Sequence, residues 1–262
     1  MKRIGLALGG GGARGIAHIA FIKAMEEMGM RPSVISGTSS GAIAGAMYAG
    51  GVSPDEMLNI VKDAVNLRGV FRYFSPASMR ANGVVPTAAR KALERMLPKK
   101  TFEELDIPLR IVATRFHTLK ERVFSEGEIM GPLMASIALP SAFPPQTVDG
   151  EYYMDGGATN IVPFDIIRRE CDVLVAIDVS AVRPNNFKPT PKLSSSATWA
   201  ATQEALMQLK LQQCPVEVME RPVFDSVGTM EFVKFNQIYS RAEEYIPGFK
   251  QKLTRILEGE RL

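Results

Sequence analysis

A chain of 262 residues, 46% hydrophobic and 23% charged, has the composition of an ordinary globular protein and is long enough to bury its own core. The formal net charge of +3 is mixed in sign along the sequence, which argues against the concentrated basic face of a nucleic-acid binder, so no nucleic acid is expected as a partner. Cys171 and Cys214 stand far apart and form no metal-ligand pattern; they fit a reducing compartment, and neither a metal nor a cofactor is expected.

The start, Met1-Lys2-Arg3 followed by apolar residues, imitates a signal peptide, but four consecutive glycines interrupt it before an apolar region of the needed length can form. No export signal is read, and no window approaches the ~18 apolar residues of a spanning helix. The expected location is cytoplasmic, with any membrane contact peripheral. Residues 3–8 then read as a strand, 9–12 as a glycine loop, 14–28 as a helix, 33–36 as a second strand, 37–41 as a tight turn and 40–49 as a helix of small residues. This βαβα alternation predicts an α/β fold with a mostly parallel sheet sandwiched by helices and joined by right-handed crossovers.

Helices are expected next at 54–65 and 86–96, each with proline in its first turn. Between them, 66–83 carries Arg68, Arg72 and Arg80 beside Phe71, Tyr73 and Phe74 with no acid, which suits either an anionic lipid interface or a cap over a site. Residues 109–114 and 172–179 read as buried strands, 129–138 as a helix, and "QTVDGEYYM" as a hairpin turning at Asp149-Gly150. The Pro-, Ser- and Lys-rich run 183–196 predicts a mobile loop, followed by helices at about 197–212 and 231–257. No internal repeat or linker is evident. The expected organisation is one domain over 1–262, with a motif-bearing core at about 3–180 and a helical part from about 197.

Three motifs carry chemistry. Gly37-Thr38-Ser39-Ser40-Gly41 fits G-x-S-x-G in a strand-turn-helix context, the setting of a nucleophile elbow; the bland alternative makes Ser39 a helix N-cap. The run Gly9 to Gly12, followed by Ala13-Arg14-Gly15, joins the first strand to the first helix and leaves backbone N–H groups open to an anion. That anion is either a phosphate or the oxyanion of an attacked ester. The phosphate reading lacks a Gly-Lys-Ser/Thr ending and an acid at the end of the second strand. Asp155-Gly156-Gly157 follows the hairpin, and Asp149-Gly150 reads as its turn.

A serine hydroxyl needs a base. His18 lies in an apolar helix and reads as a packed histidine, whereas His117 could serve only with an unusual acid such as Asp106; no histidine follows Asp155. An α/β-hydrolase triad would need one there.

Taken in order, "GGGARG", "GTSSG" and "DGG" resemble the patatin-like phospholipases, including the bacterial relatives of neuropathy target esterase. The resemblance covers about residues 3–180. Ser141 stands in "LPSAF" where glycine is frequent, and "TRFHT" replaces a commonly acidic segment. The resemblance implies a patatin-like three-layer architecture and hydrolysis of lipid acyl esters of the phospholipase A or lysophospholipase type, with a phospholipid or lysophospholipid as substrate. It also implies a Ser39–Asp155 dyad, an oxyanion hole at Gly10, Gly11 and Gly12, and supporting positions at Arg14, Gly37, Gly41 and Gly156. Arg14 is read as ordering the loop, meeting a lipid phosphate, or lying on a helix surface. A binding module without turnover is the alternative from another class.

Overall fold

The computed structural model describes residues 2–66, 84–140, 142–181, 191–224 and 227–260. The basic and aromatic stretch 66–83, beyond its first residue, lies outside the described residues, as do Ser141 and residues 183–190 of the expected loop. In chain order the elements are β1 (Ile4–Leu8), α1 (Ala17–Glu27), β2 (Val34–Thr38), α2 (Ser40–Ala49), α3 (Pro54–Asn66), α4 (Val84–Met96), β3 (Leu109–Arg115), β4 (Glu121–Phe124), α5 (Met130–Ser136), β5 (Gln146–Val148), β6 (Glu151–Asp155), α6 (Phe164–Ile167), β7 (Val173–Ile177), α7 (Pro191–Gln213), β8 (Val218–Glu220), α8 (Phe235–Glu243) and α9 (Ile246–Leu257).

These strands form one eight-stranded sheet in the order β5-β6-β3-β2-β1-β7-β8, with β4 also paired to β3. β8, β7, β1, β2 and β3 are mutually parallel, while β4 and β6 run antiparallel to β3 and β5 antiparallel to β6. β1, β2 and β7 are buried at every position, as strands covered on both faces must be. Alternate residues divide between two cores. Leu6, Leu8, Val175 and Ile177 pack with α1, α2, α8 and α9 on one face; Ala7, Leu174 and Ala176 pack with Phe164 and Ile167 of α6 and Met207 of α7 on the other. The result is helix, sheet, helix.

From β1 the chain crosses to β2 and β3, then returns to β7 on the opposite flank of β1. The crossover direction therefore switches between β1 and β7, where crevices open at the carboxyl ends of the strands in α/β sheets. The glycine loop begins at that end of β1.

Several local expectations change. The first helix is preceded by a one-turn 3-10 helix, Gly12–Ile16, and α7 begins at Pro191, inside the run expected to be a loop. The single helix expected at 231–257 is divided into a 3-10 turn at Phe232–Lys234, then α8 and α9. Pro247 sits in the first turn of α9, where its missing N–H leaves no bond unmade; inside a continuous helix it would have broken one. The short elements β4, α6 and β8 carry too few residues for a periodic signal.

Candidate active site

Ser39 follows the last residue of β2 and stands at the N-cap position of α2 with φ 53° and ψ −120°. A positive φ is costly for a serine, and such strain collects at sites where a side chain must be displayed. The N-cap reading does not hold, because the Ser39 side chain makes no capping hydrogen bond. Its backbone N–H instead donates to Ser136 Oγ of α5 at 2.8 Å, and Ser136 Oγ donates to the Val112 carbonyl at 2.7 Å. One buried hydroxyl thus ties the elbow to β3.

The flanking glycines are fixed by close approach rather than by torsion. A Cβ on Gly41 would lie 2.1 Å from the Leu8 carbonyl oxygen, and one on Gly37 would lie 2.6 Å from Ala42 Cα. Only without those atoms can α2 begin directly against β1. Gly10 abuts the nucleophile candidate, its notional Cβ being 3.2 Å from Ser39 Cβ.

Strand register brings Asp155 to the same place. Thr38 pairs with Val112 and Asp155 with Ala113 on β3. β4 pairs with residues 111–114 of β3, overlapping both β2 and β6, so β2 and β6 must share the other edge, end to end. Gly156 completes the junction, since a Cβ there would lie 2.2 Å from the Val112 carbonyl oxygen. Thr114 Oγ1 donates to the Asp155 carbonyl at 3.1 Å, and Asp155 N–H donates to the Ala138 carbonyl at 2.9 Å.

The Asp155 side chain is buried. Its Oδ1 accepts the Gly157 N–H at 2.7 Å, and the nearby Ser39 hydroxyl favours its ionised form. Burial raises its pKa from 3.8 to about 6, against the opposing pull of the Gly157 N–H and the Ser39 hydroxyl. His18 is displaced the other way: burial lowers its pKa to about 4, although its Nε2 lies 2.8 Å from the Gly9 carbonyl oxygen. It is packed, as expected, beneath the glycine loop. His117 occupies the turn after β3, its ring 5.4 Å from Phe116 and 5.9 Å from Tyr152. Asp106 precedes β3 and pairs with Arg31, so seven residues of strand, about 23 Å, separate the imagined pair.

In the glycine loop, Gly9 N–H donates to the Ile177 carbonyl and Gly10 N–H to the Ile161 carbonyl, both at 2.9 Å. Ala13 and Arg14 N–H groups are likewise taken, whereas those of Gly11 and Gly12 make no hydrogen bond among the described residues. Of the three expected donors, Gly10 is thus committed to the scaffold and two remain open. Gly12 has φ 60° and lies so close to the Thr229 carbonyl that a Cβ would come within 2.1 Å of its oxygen. Arg14 donates to the carbonyls of Val227 and Ser180, at 3.1 and 3.3 Å, so it fastens the loop to two later segments. These contacts are of the kind the loop-ordering reading requires.

Ser136 and Gln203 were not anticipated. Gln203 of α7 donates to the Gly157 carbonyl at 3.1 Å, which brings the C-terminal helical part to the rim of the site. The signal for Ser136 was a lone polar residue in an otherwise apolar helix, "MGPLMASIAL".

Comparison with known proteins follows the same lines. A family model described as patatin-like phospholipase matches residues 6–168. Patatin-like phospholipase domain-containing protein 6 of Homo sapiens and that of Mus musculus are each 30% identical over 275 residues, covering 92% of this chain and 20% of theirs. Lysophospholipase nte1 of Neurospora crassa is 26% identical over 279 residues, covering 96% and 18%. The chain thus spans about a fifth of the length of these curated relatives. Among solved structures, VipD from Legionella pneumophila superposes with a TM-score of 0.50 at 15% identity, over 95% of this chain and 67% of that one, a likeness of fold. With its elbow, glycine loop and D-G-G segment all inside or bordering the matched span, the chain belongs to the patatin-like phospholipase family.

Proposed function

We propose that the chain is a serine acyl hydrolase acting on lipids, with a lysophospholipid or phospholipid as substrate, through a Ser39–Asp155 dyad. The observation that carries the reading is the strained Ser39, set by strand register beside a buried aspartate whose pKa is raised to about 6. A base with a pKa near the working pH is both ionised and strong enough to accept a proton.

In the proposed reaction Asp155 accepts the Ser39 hydroxyl proton as Oγ bonds to the ester carbonyl carbon. The open N–H groups of Gly11 and Gly12 hold the resulting oxyanion, and α2 adds the partial positive charge of its N-terminus. Collapse breaks the ester C–O bond, and the departing alcohol takes the proton from Asp155. Water then attacks the acyl-serine with Asp155 again as base; the fatty acid leaves and Ser39 regains its proton. Gly10, Gly37, Gly41 and Gly156 hold the backbones close, and Arg14 fastens the loop. The lysophospholipase named among the relatives supports the choice of substrate class. No helix among the described residues is long and apolar enough to cross a membrane, so the proposed encounter with lipid is peripheral.

Fluorophosphonate labelling tests this directly. The wild-type chain should label and hydrolyse lysophosphatidylcholine, and Ser39→Ala should do neither while remaining folded. Labelling that survives the substitution would move the nucleophile, with Ser40 first in line; an unlabelled wild type that still binds lipid would leave a binding module.

A further inference from the structure

The parallel strands end on the edge that carries Ser39 and the glycine loop, and β3 projects beyond it. Phe116 follows the last residue of β3, four residues past Val112, which is level with Thr38; the β3–β4 turn therefore stands about 13 Å further out. Phe116, Leu119 and Tyr152 are 44, 65 and 50% exposed, and they are three of only five large hydrophobic side chains so exposed among the described residues. They are one patch. Phe116 N–H donates to the Tyr152 carbonyl at 2.8 Å, the His117 ring bridges the other two rings edge-on, and Leu119 N–H closes the turn onto Arg115.

Leu119 adds an independent observation. Its φ is 56°, a conformation that Asn or Gly adopts with less strain, and its side chain is largely in water. Neither the turn nor the core accounts for a leucine there. The charges around the patch cancel, Arg115, Lys120, Arg122 and Lys210 standing against Glu121, Asp149, Glu151 and Asp165, with Glu151 paired to Arg115 at 2.8 Å and Lys210 to Glu121 at 3.2 Å and to Asp165 at 2.7 Å. A surface without net field suits a zwitterionic headgroup layer rather than an anionic one, and tyrosine, phenylalanine and leucine tips are the side chains that enter such an interface.

We propose that the β3–β4 turn, with Tyr152, is an interfacial wedge that inserts Phe116 and Leu119 into a zwitterionic lipid surface and so sets the mouth of the site against it. The inference deepens the lipid-hydrolase reading and rests on it for its purpose, not for its test. Flotation with phosphatidylcholine vesicles is measured in a Ser39→Ala background, which leaves the lipid intact. Binding should be the same at low and molar salt, and the double substitution Phe116→Gln, Leu119→Asn should reduce the partition coefficient by ~10-fold or more. Leu119→Asn alone should weaken partitioning while leaving the melting temperature equal or higher, which separates docking from folding. With Ser39 restored, the double variant should keep turnover of a soluble short-chain ester within about twofold. The proposal is overturned if the wild-type surface does not float, if the double variant floats equally well, or if the substitutions instead disperse a dimer of this chain. A failure of the hydrolase reading would be seen separately, as absent fluorophosphonate labelling with flotation intact.

Discussion

Asp155→Asn should make the protein more stable at neutral pH while removing its activity. Burial holds the carboxyl at about 6 in the folded chain against 3.8 ordinarily, and each pH unit of that displacement is worth about 1.4 kcal/mol. A group whose folded pKa is raised favours folding most below its unfolded pKa. That advantage is lost as pH climbs from about 4 to about 6 and stays lost above. At pH 8 the ionised Asp155 therefore costs about 3 kcal/mol that a neutral asparagine, still able to accept the Gly157 N–H, does not. For a chain of this size the difference corresponds to a rise on the order of 6 °C in melting temperature. Thermal unfolding of both proteins at pH 4 and pH 8 measures it: the variants should nearly coincide at pH 4 and separate at pH 8. Hydrolysis should fall by about 10² to 10⁴, the usual worth of a general base. A stability difference that does not depend on pH, or a variant less stable at pH 8, would refute burial of the charge as the cause of the raised pKa.

Two further outcomes follow from the same geometry. Replacing His18 and His117 together with glutamine should retain turnover within about tenfold, since glutamine can keep the bond to the Gly9 carbonyl and the ring contacts of His117 are to Phe116 and Tyr152; the acidic limb of kcat/KM should lie near 6 in both proteins, set by Asp155, and a wild-type limb near 4 that the variant lacks would implicate His18 instead. Ser136→Ala should lower kcat at unchanged KM and destabilise the fold by about 1–3 kcal/mol, because it orphans the Ser39 N–H and the Val112 carbonyl; steady-state kinetics with urea unfolding checks both.

The glycine loop after β1, the turn between β2 and α2, and the Asp149-Gly150 hairpin were legible in the sequence because each depends on local backbone freedom. Glycines tolerate what the turn demands, and the strand-to-helix change of period falls within a few residues of each motif. Composition alone also pointed away from a histidine base, since no histidine follows Asp155. The helix break before Pro247 was equally local, but it was masked by an amphipathic pattern that continues on both sides.

What local sequence could not decide depends on groups distant in the chain. Asp155 meets Ser39 only because β2 and β6 share one edge of β3 in adjacent register, and nothing in either segment encodes that pairing. The choice among three glycine donors was made by the Ile161 carbonyl, which claims Gly10, and the support of the elbow by Ser136 on α5. Most plainly, residue type orders the histidine above the aspartate in pKa, and burial reverses them, to about 4 for His18 and about 6 for Asp155. Desolvation opposes whichever form of a group is charged, so it lowers a base and raises an acid; how much water each loses is set by the packing of the whole fold.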